Sequence, residues 1–331
     1  MTNKIFAVFN NGCMTVISFT SRVFNYFVKY FSSKSVQYFI GLIIGILAII
    51  VLFLPSAYVV EEPGPTQDVL GKSSGKYVIN VDNPNNPNNP NNPNNPNNPN
   101  NPNNPNNPNK KAASAASGLK SHSKSGKLLL VTVNTSGVPG YEIPNIYAVL
   151  SWFDSKKQIL PREVLVPVNQ NASDYKKETN KQMTSSQSSA QVAALDYAKK
   201  HLNVNVKNVK VKMHIDDIGG PSAGMMYALG ILNKLTGVDL AGGKTIAGTG
   251  TIDNNGKVGA IGGIRLKMIS AKRDGARWFL APNSNCDEVV GNIPQGLNVV
   301  SVKTLDDAYK ALEKIKAGKS IKSFKTCNAK M

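Results

Sequence analysis

Residues 219–237 read GGPSAGMMYALGILNKLTG. Between Pro221 and Gly237 runs an apolar stretch, 222–235, that predicts a buried helix. Ser222 falls at its first turn, among backbone N–H groups without an intrahelical partner. A serine there can cap the helix or stand beside an oxyanion site, and this stretch alone leaves both open. Upstream, 127–134 (KLLLVTVN) predicts a strand, 146–153 a short helix, 174–202 a long helix and 206–215 an alternating strand. Downstream, 245–252 predicts a strand closed by the turn Asp253-Asn254-Asn255-Gly256. A helix over 264–274, a strand over 278–281, a short helix near 286–290, a strand over 297–302 and a helix over 305–315 follow. Strands and helices mix without a regular βαβ rhythm, so the expected class is α+β with a partly parallel C-terminal half.

The 331 residues carry 38 Lys and Arg against 20 Asp and Glu, a net charge of +18. The excess is spread over the C-terminal region, which suits a surface beside anionic lipid or wall polymer as well as it suits nucleic acid. No nucleic-acid-reading motif is present, so nucleic acid is not an expected partner. Three cysteines (Cys13, Cys286, Cys327) are too few for a disulfide scaffold, although Cys286 and Cys327 could pair outside the cell. Three scattered histidines make no metal motif, so neither metal nor cofactor is expected. Chemistry is left to Ser, Thr, Lys and carboxylates. Asp216 and Asp217, just before the serine loop, suit a solvated turn better than a cation site.

From 38 to 60 no charge occurs, and at about 1.5 Å per residue the segment spans a bilayer of roughly 30 Å. Lys4, Arg22, Lys29 and Lys34 precede it, while Glu61 and Glu62 follow. The positive-inside bias predicts a retained anchor with a cytoplasmic N-terminus and an extracytoplasmic remainder. Residues 83–109 are nine tandem Asn-Pro-Asn triplets, a composition that builds no core and reads as an extended spacer. The expected organisation is a basic cytoplasmic tail (1–37), a transmembrane helix (38–60), a juxtamembrane segment (61–82) and a repeat and Ser/Lys linker (83–126). An N-terminal α/β segment (127–203), a main C-terminal domain (204–317) and a basic tail (318–331) complete it.

On the helix predicted from Ile264, Arg265, Lys272 and Arg273 share one side, whereas Lys267 leans toward the apolar face beside Ile264, Ser270 and Ala271. A lysine there can snorkel to solvent. With no usable His or Cys, it can also be the base that activates a serine.

GGPSAGMM, then TGTIDNNGKVGAIGGIRLK, then ISAKRDGA resembles the proteolytic domain of Lon-type Ser–Lys endopeptidases. The resemblance implies Ser222 as nucleophile and Lys267, 45 residues on, as its base, with Thr249 orienting the lysine. It further implies acyl transfer, with the helix-start amide of Ala223 at the oxyanion. The Lys267 amine must then fall from about 10.4 towards 7–8, for which burial is the available cause. YVVEEPGPTQDVLG, KLLLVTV and LPREVLVP with NKQMTSSQSSAQVAAL resemble the membrane-anchored, PDZ-containing Lon-like proteases of Gram-positive bacteria. The chain departs from them in lacking a PDZ module after 201 and in carrying the Asn-Pro-Asn array.

Three G-K-[ST] triplets begin at Gly71, Gly243 and Gly318, but Thr66, Val238 and Glu313 stand where a P-loop has its first glycine. The expectation is therefore an ATP-independent serine endopeptidase acting on extracytoplasmic or membrane polypeptides. The resemblance adds a homo-oligomer, a hexameric ring. The competing expectation is a non-catalytic, membrane-anchored scaffold of the same fold.

Overall fold

A computed structural model describes residues 34–84, 126–215 and 218–327, with isolated positions between 26 and 32. Most of the expected cytoplasmic tail, almost all of the Asn-Pro-Asn array with its linker, Asp216–Asp217 and the last four residues lie outside the described residues. The chain divides into two units, residues up to Pro55 with Pro144–Ile146, and the rest.

The first unit holds α1 (Val36–Phe53), eighteen residues without a charge and long and apolar enough to cross a membrane. At about 1.5 Å per residue it measures roughly 27 Å. The span expected over 38–60 is thus shifted and shortened. Pro55 forces Leu54 into the extended region (ψ 153°), which ends the helix, and Tyr58–Val60 belong to a strand instead. Asn145 takes up the last carbonyls of α1: its N–H donates to Leu54 (3.0 Å) and its Nδ2 to Val51 (2.9 Å).

The second unit is built on a six-stranded sheet. Its strands are β1 (Tyr58–Asp68), β5 (Lys127–Ser136), β6 (Gln158–Pro161), β8 (Thr245–Gly248), β11 (Trp278–Pro282) and β12 (Asn298–Val302), in the order β12-β11-β8-β5-β1-β6. β5, β8, β11 and β12 run parallel, while β1 is antiparallel to both β5 and β6. The mixed α+β class is as expected. Leu128 and Leu130 face one side of the sheet, and Leu129 and Val131 the other, the period-2 alternation of a strand covered on both faces. α4 (Gly224–Thr236), apolar all round, packs on the first face beneath α3 (Ala172–His201) and α7 (Leu305–Lys316). α5 (Ile264–Arg273) covers the second with Ile264, Met268 and Ala271. The shorter helices are α2 (Asn145–Ser151) and α6 (Cys286–Val289).

Two differences from expectation matter for the site. The segment 61–82 contributes β1 to the main sheet, then a short hairpin of β2 (Lys72–Ser73) and β3 (Lys76–Tyr77), and its end, β4 (Ile79–Asp82), pairs with β7 (Lys210–Met213). The chain therefore leaves and re-enters one folded unit across the array, and 61–82, 127–203 and 204–317 all supply strands to that unit. Second, the strand expected over 245–252 breaks at Thr249–Gly250. Beyond the break, β9 (Thr251–Ile252) pairs with β10 (Val258–Gly259) in a separate hairpin.

The C-terminal segment folds back over β12 as far as Cys327. Ser301 N–H donates to the Lys325 carbonyl (2.8 Å), Phe324 packs on Trp278, and Cys327 is disulfide-bonded to Cys286. This covers an edge strand that would otherwise present open backbone groups. The cross-link joins positions 41 apart. Cys286→Ser with Cys327→Ser is expected to lower the unfolding free energy by about 2–4 kcal/mol. The check is the urea midpoint of the detergent-solubilised full chain, with reduced wild type as the matching control.

Candidate active site

The break after β8 joins the strand to the serine loop. Gly250 N–H and Thr249 Oγ1 both donate to the carbonyl of Ser222, at 2.8 and 3.0 Å, and Met225 N–H donates back to Gly250 (3.0 Å). Thr249 is fully buried, and its own N–H donates to Leu280 of β11. Ser222 is thereby fixed at the C-terminal end of the parallel strands, where ligands collect in such sheets.

The helix starts at Gly224. Ala223 occupies its N-cap position and has no side chain able to cap it, and among the described residues Ser222 Oγ has no hydrogen-bond partner. Among the described residues no hydrogen bond engages the N–H of Ser222 or Ala223. Two donors at a helix start thus stay uncommitted next to a serine hydroxyl, the arrangement an oxyanion needs.

The loop before Ser222 is held from α3. Ser186 Oγ donates to the Pro221 carbonyl (2.9 Å) and Gly220 N–H to the Thr179 carbonyl (3.2 Å). Gly220 has φ +82°, which glycine adopts without strain. A methyl at Gly224 would lie 2.8 Å from Ser186 Oγ, so only glycine lets α3 and α4 approach here. An open groove of about 280 Å³ runs beside Pro221, between Glu178, Lys181 and Gln182 of α3 and Thr251 of β9.

Lys267 lies in the first turn of α5 and is 3% exposed. Gly263 (φ +66°) starts that helix, and Asn285 clamps the preceding loop by accepting from Ile261 N–H (3.0 Å) and donating to its carbonyl (2.8 Å). Burial pushes the Lys267 amine down to about 8, opposed by the charges of Glu61 and then Glu288. Glu61 is itself buried on β1, where it pairs with Thr135 beyond the end of β8. Burial raises its pKa, and Lys267 pulls it back. A methyl at Gly263 would sit 3.4 Å from Glu61 Oε2, so this carboxylate faces the head of the lysine helix.

The register therefore brings Ser222, Thr249 and Lys267 to one end of the sheet, on elements over its two faces. Thr249 bonds to Ser222 rather than to Lys267, and among the described residues no hydrogen bond joins Ser222 Oγ to Lys267 Nζ. Glu61, Ser186, Thr179 and Asn285 are contributions that sequence reasoning missed. Glu61 stands 206 positions before Lys267, and no local pattern links them. Among the described residues, no group of three or more His, Cys, Asp or Glu comes together to hold a metal ion.

Residues 165–314 match the family model of the Lon protease (S16) C-terminal proteolytic domain. Over these residues, somewhat under half of the chain, the sequence is similar to the Lon proteolytic domain. Similar proteins include the Lon protease of Mycoplasma genitalium, 36% identical over 132 residues that make up 36% of this chain and 16% of that protein. The Lon protease of Mycoplasma pneumoniae is 37% identical over 129 residues (35% and 16%), and that of Azospirillum brasilense 38% over 94 (28% and 11%). The chain thus spans about a sixth or less of the length of these relatives. The match begins ahead of α3, while β1 and β5 lie outside it and complete the same sheet.

The Lys267 shift has a stability consequence. Its pKa is about 8 folded against 10.5 unfolded, so between these values the unfolded chain holds the extra proton and stability rises with pH. Below pH 8 the folded state carries a charged, buried amine at a cost of about 3 kcal/mol. Lys267→Met is expected to be the more stable protein at pH 7, with the advantage shrinking by that amount as pH passes 10.5. Denaturant titrations of both proteins across pH 7–11 measure it.

Proposed function

We propose that the chain is a membrane-anchored serine endopeptidase in which Ser222 is the nucleophile and Lys267 its general base. The single observation behind this reading is a buried lysine with its amine lowered to about 8, at the sheet end where the Ser222 carbonyl is clamped. At pH 7 about a tenth of such an amine is neutral, enough to take the serine proton while remaining a competent acid for the leaving amine. Closing the remaining Ser222–Lys267 gap falls to substrate binding, since catalytic hydrogen bonds often tighten only in the complex. The N–H groups of Ser222 and Ala223 receive the oxyanion, a contribution of about 10²–10³ in rate for one such donor. Thr249 spends its proton on Ser222, so toward Lys267 it acts as acceptor and orients the amine.

The substrate is a polypeptide, bound along β9 and the groove beside Pro221. No G-x-x-x-x-G-K-[ST] occurs in the 331 residues, and the proposed hydrolysis needs no nucleotide. α1 serves as a membrane anchor with the protease unit on the extracytoplasmic side, where its polypeptide substrates lie. A hexameric ring is the assembly proposed by analogy with the family.

Cleavage of an unfolded protein by the full chain in detergent, without ATP, is expected to vanish in both Ser222→Ala and Lys267→Ala. Near wild-type turnover by Lys267→Ala would overturn the dyad, and a folded wild type that never cleaves would favour the scaffold. The rate is expected to rise about tenfold per pH unit and level off near pH 8, as Lys267 loses its proton. Glu61→Gln removes the main charge that holds the proton on Lys267, so the rising limb should move to lower pH while Glu288 still restrains it. An unmoved limb would separate Glu61 from the base.

A further inference from the structure

We propose that the apolar surface around the start of β1 is a membrane-interface anchor, which seats the protease unit in the headgroup region of the bilayer that α1 crosses. The inference rests on the reading of α1 as a membrane span. α2 and the turn after it expose Leu150, Trp152 and Phe153, the last two at 72% and 86% of their full area. Tyr141 (73%), Val164 (63%) and Tyr58 (43%) are exposed as well. Large apolar side chains grouped this way on a folded unit mark a docking surface.

Their segments are tied to one point of the chain. Ser56 N–H donates to the Ile143 carbonyl (2.8 Å), and Arg162 N–H donates to Ala57 (2.9 Å). Tyr58 pairs with Pro161 across β1 and β6. The Gly137 backbone packs against the Tyr58 carbonyl, and Gly137 N–H donates to Tyr141 (2.7 Å). Ser56 follows Phe53, the last residue of α1, by three positions. Three residues reach at most about 10 Å, so covalent length alone holds Ser56 within or just above the headgroup layer. The exposed residues are of the kind that layer selects. Trp and Tyr present an amphipathic ring to it, and Leu150 and Phe153 supply apolar area to the acyl boundary. Lys156, exposed four residues beyond Trp152, and Arg162 add positive charge suited to anionic lipid.

The test uses the full chain reconstituted in vesicles of phosphatidylcholine and phosphatidylglycerol. The chain has two tryptophans, so Trp278→Phe leaves Trp152 as sole reporter. The expected result is a loss of Trp152 emission when the phosphatidylcholine is replaced by its acyl-brominated form, with protection from aqueous iodide. Iodide quenching without bromolipid quenching places Trp152 in water and overturns the proposal. Protection from both quenchers means that protein covers the surface, a second copy included, and overturns it equally. If Trp278→Phe does not fold, Trp152→Phe is compared with wild type, and the bromolipid effect must disappear. Alkaline carbonate separates the two readings. A chain released from the vesicles loses the membrane span and this anchor together, whereas a retained chain with a water-exposed Trp152 loses the anchor alone.

Discussion

The carbonyl of Ser222 accepts two hydrogen bonds from the residues that end β8, one from a fully buried threonine hydroxyl and one from the next backbone N–H. The Gly250 donor is not available if the strand continues past Gly248, because a continuing ladder would use its N–H elsewhere. Strand termination and serine placement are therefore one event. α4, lying against the sheet through Met225, Met226 and Leu229, is held in register along its axis by this pair of bonds. From the outside, α3 pins the same loop through Ser186 and Thr179. The serine is thus supported by rigid elements on both sides, which fixes its position closely.

The lysine is placed by a different force. α5 lies on the opposite face because Ile264, Met268 and Ala271 have Leu129, Val131 and Phe279 to pack against, and Lys267 falls inward with them. Hydrophobic packing carries the amine into a site that desolvates it, and buried Glu61 limits how far its proton affinity falls. The two faces of one sheet thus impose opposite demands on a serine and a lysine carried toward the same end. α4 has no charge in its first turn and leaves amides free, whereas α5 delivers a positive group into low dielectric.

Much of this could be read in the linear sequence. The apolar run after Pro221 and the alternation in KLLLVTVN each follow from a single local rule, and α4 and β5 lie within two residues of expectation. β1 was not legible, because Glu61-Glu62-Pro63-Gly64-Pro65 carries two prolines and a glycine that argue against a strand interior. It forms through an irregularity between Pro63 and Thr66, where Gly64 lies so close to β5 that a methyl would meet Thr132 Oγ1 at 2.5 Å. The apolar Tyr58-Val59-Val60 suited a membrane helix as well as a strand, and only Pro55 separates the two. Glu61 stayed invisible for the same reason: its role is set by a strand pairing, and pairings between distant segments leave no local mark.

The placement of the Asn-Pro-Asn array between β4 and β5 bears on how such a sequence can change over generations. Tandem triplets are prone to gain and lose copies, and a spacer between membrane and domain would transmit each change as a change in height. Here both flanks, β4 and β5, belong to one folded unit, and that unit begins only a few residues after α1. Repeat number then enters the energetics chiefly as loop length, where each doubling costs about 0.6 kcal/mol. Copy number is close to neutral for the fold and for the position of Ser222, and free to drift.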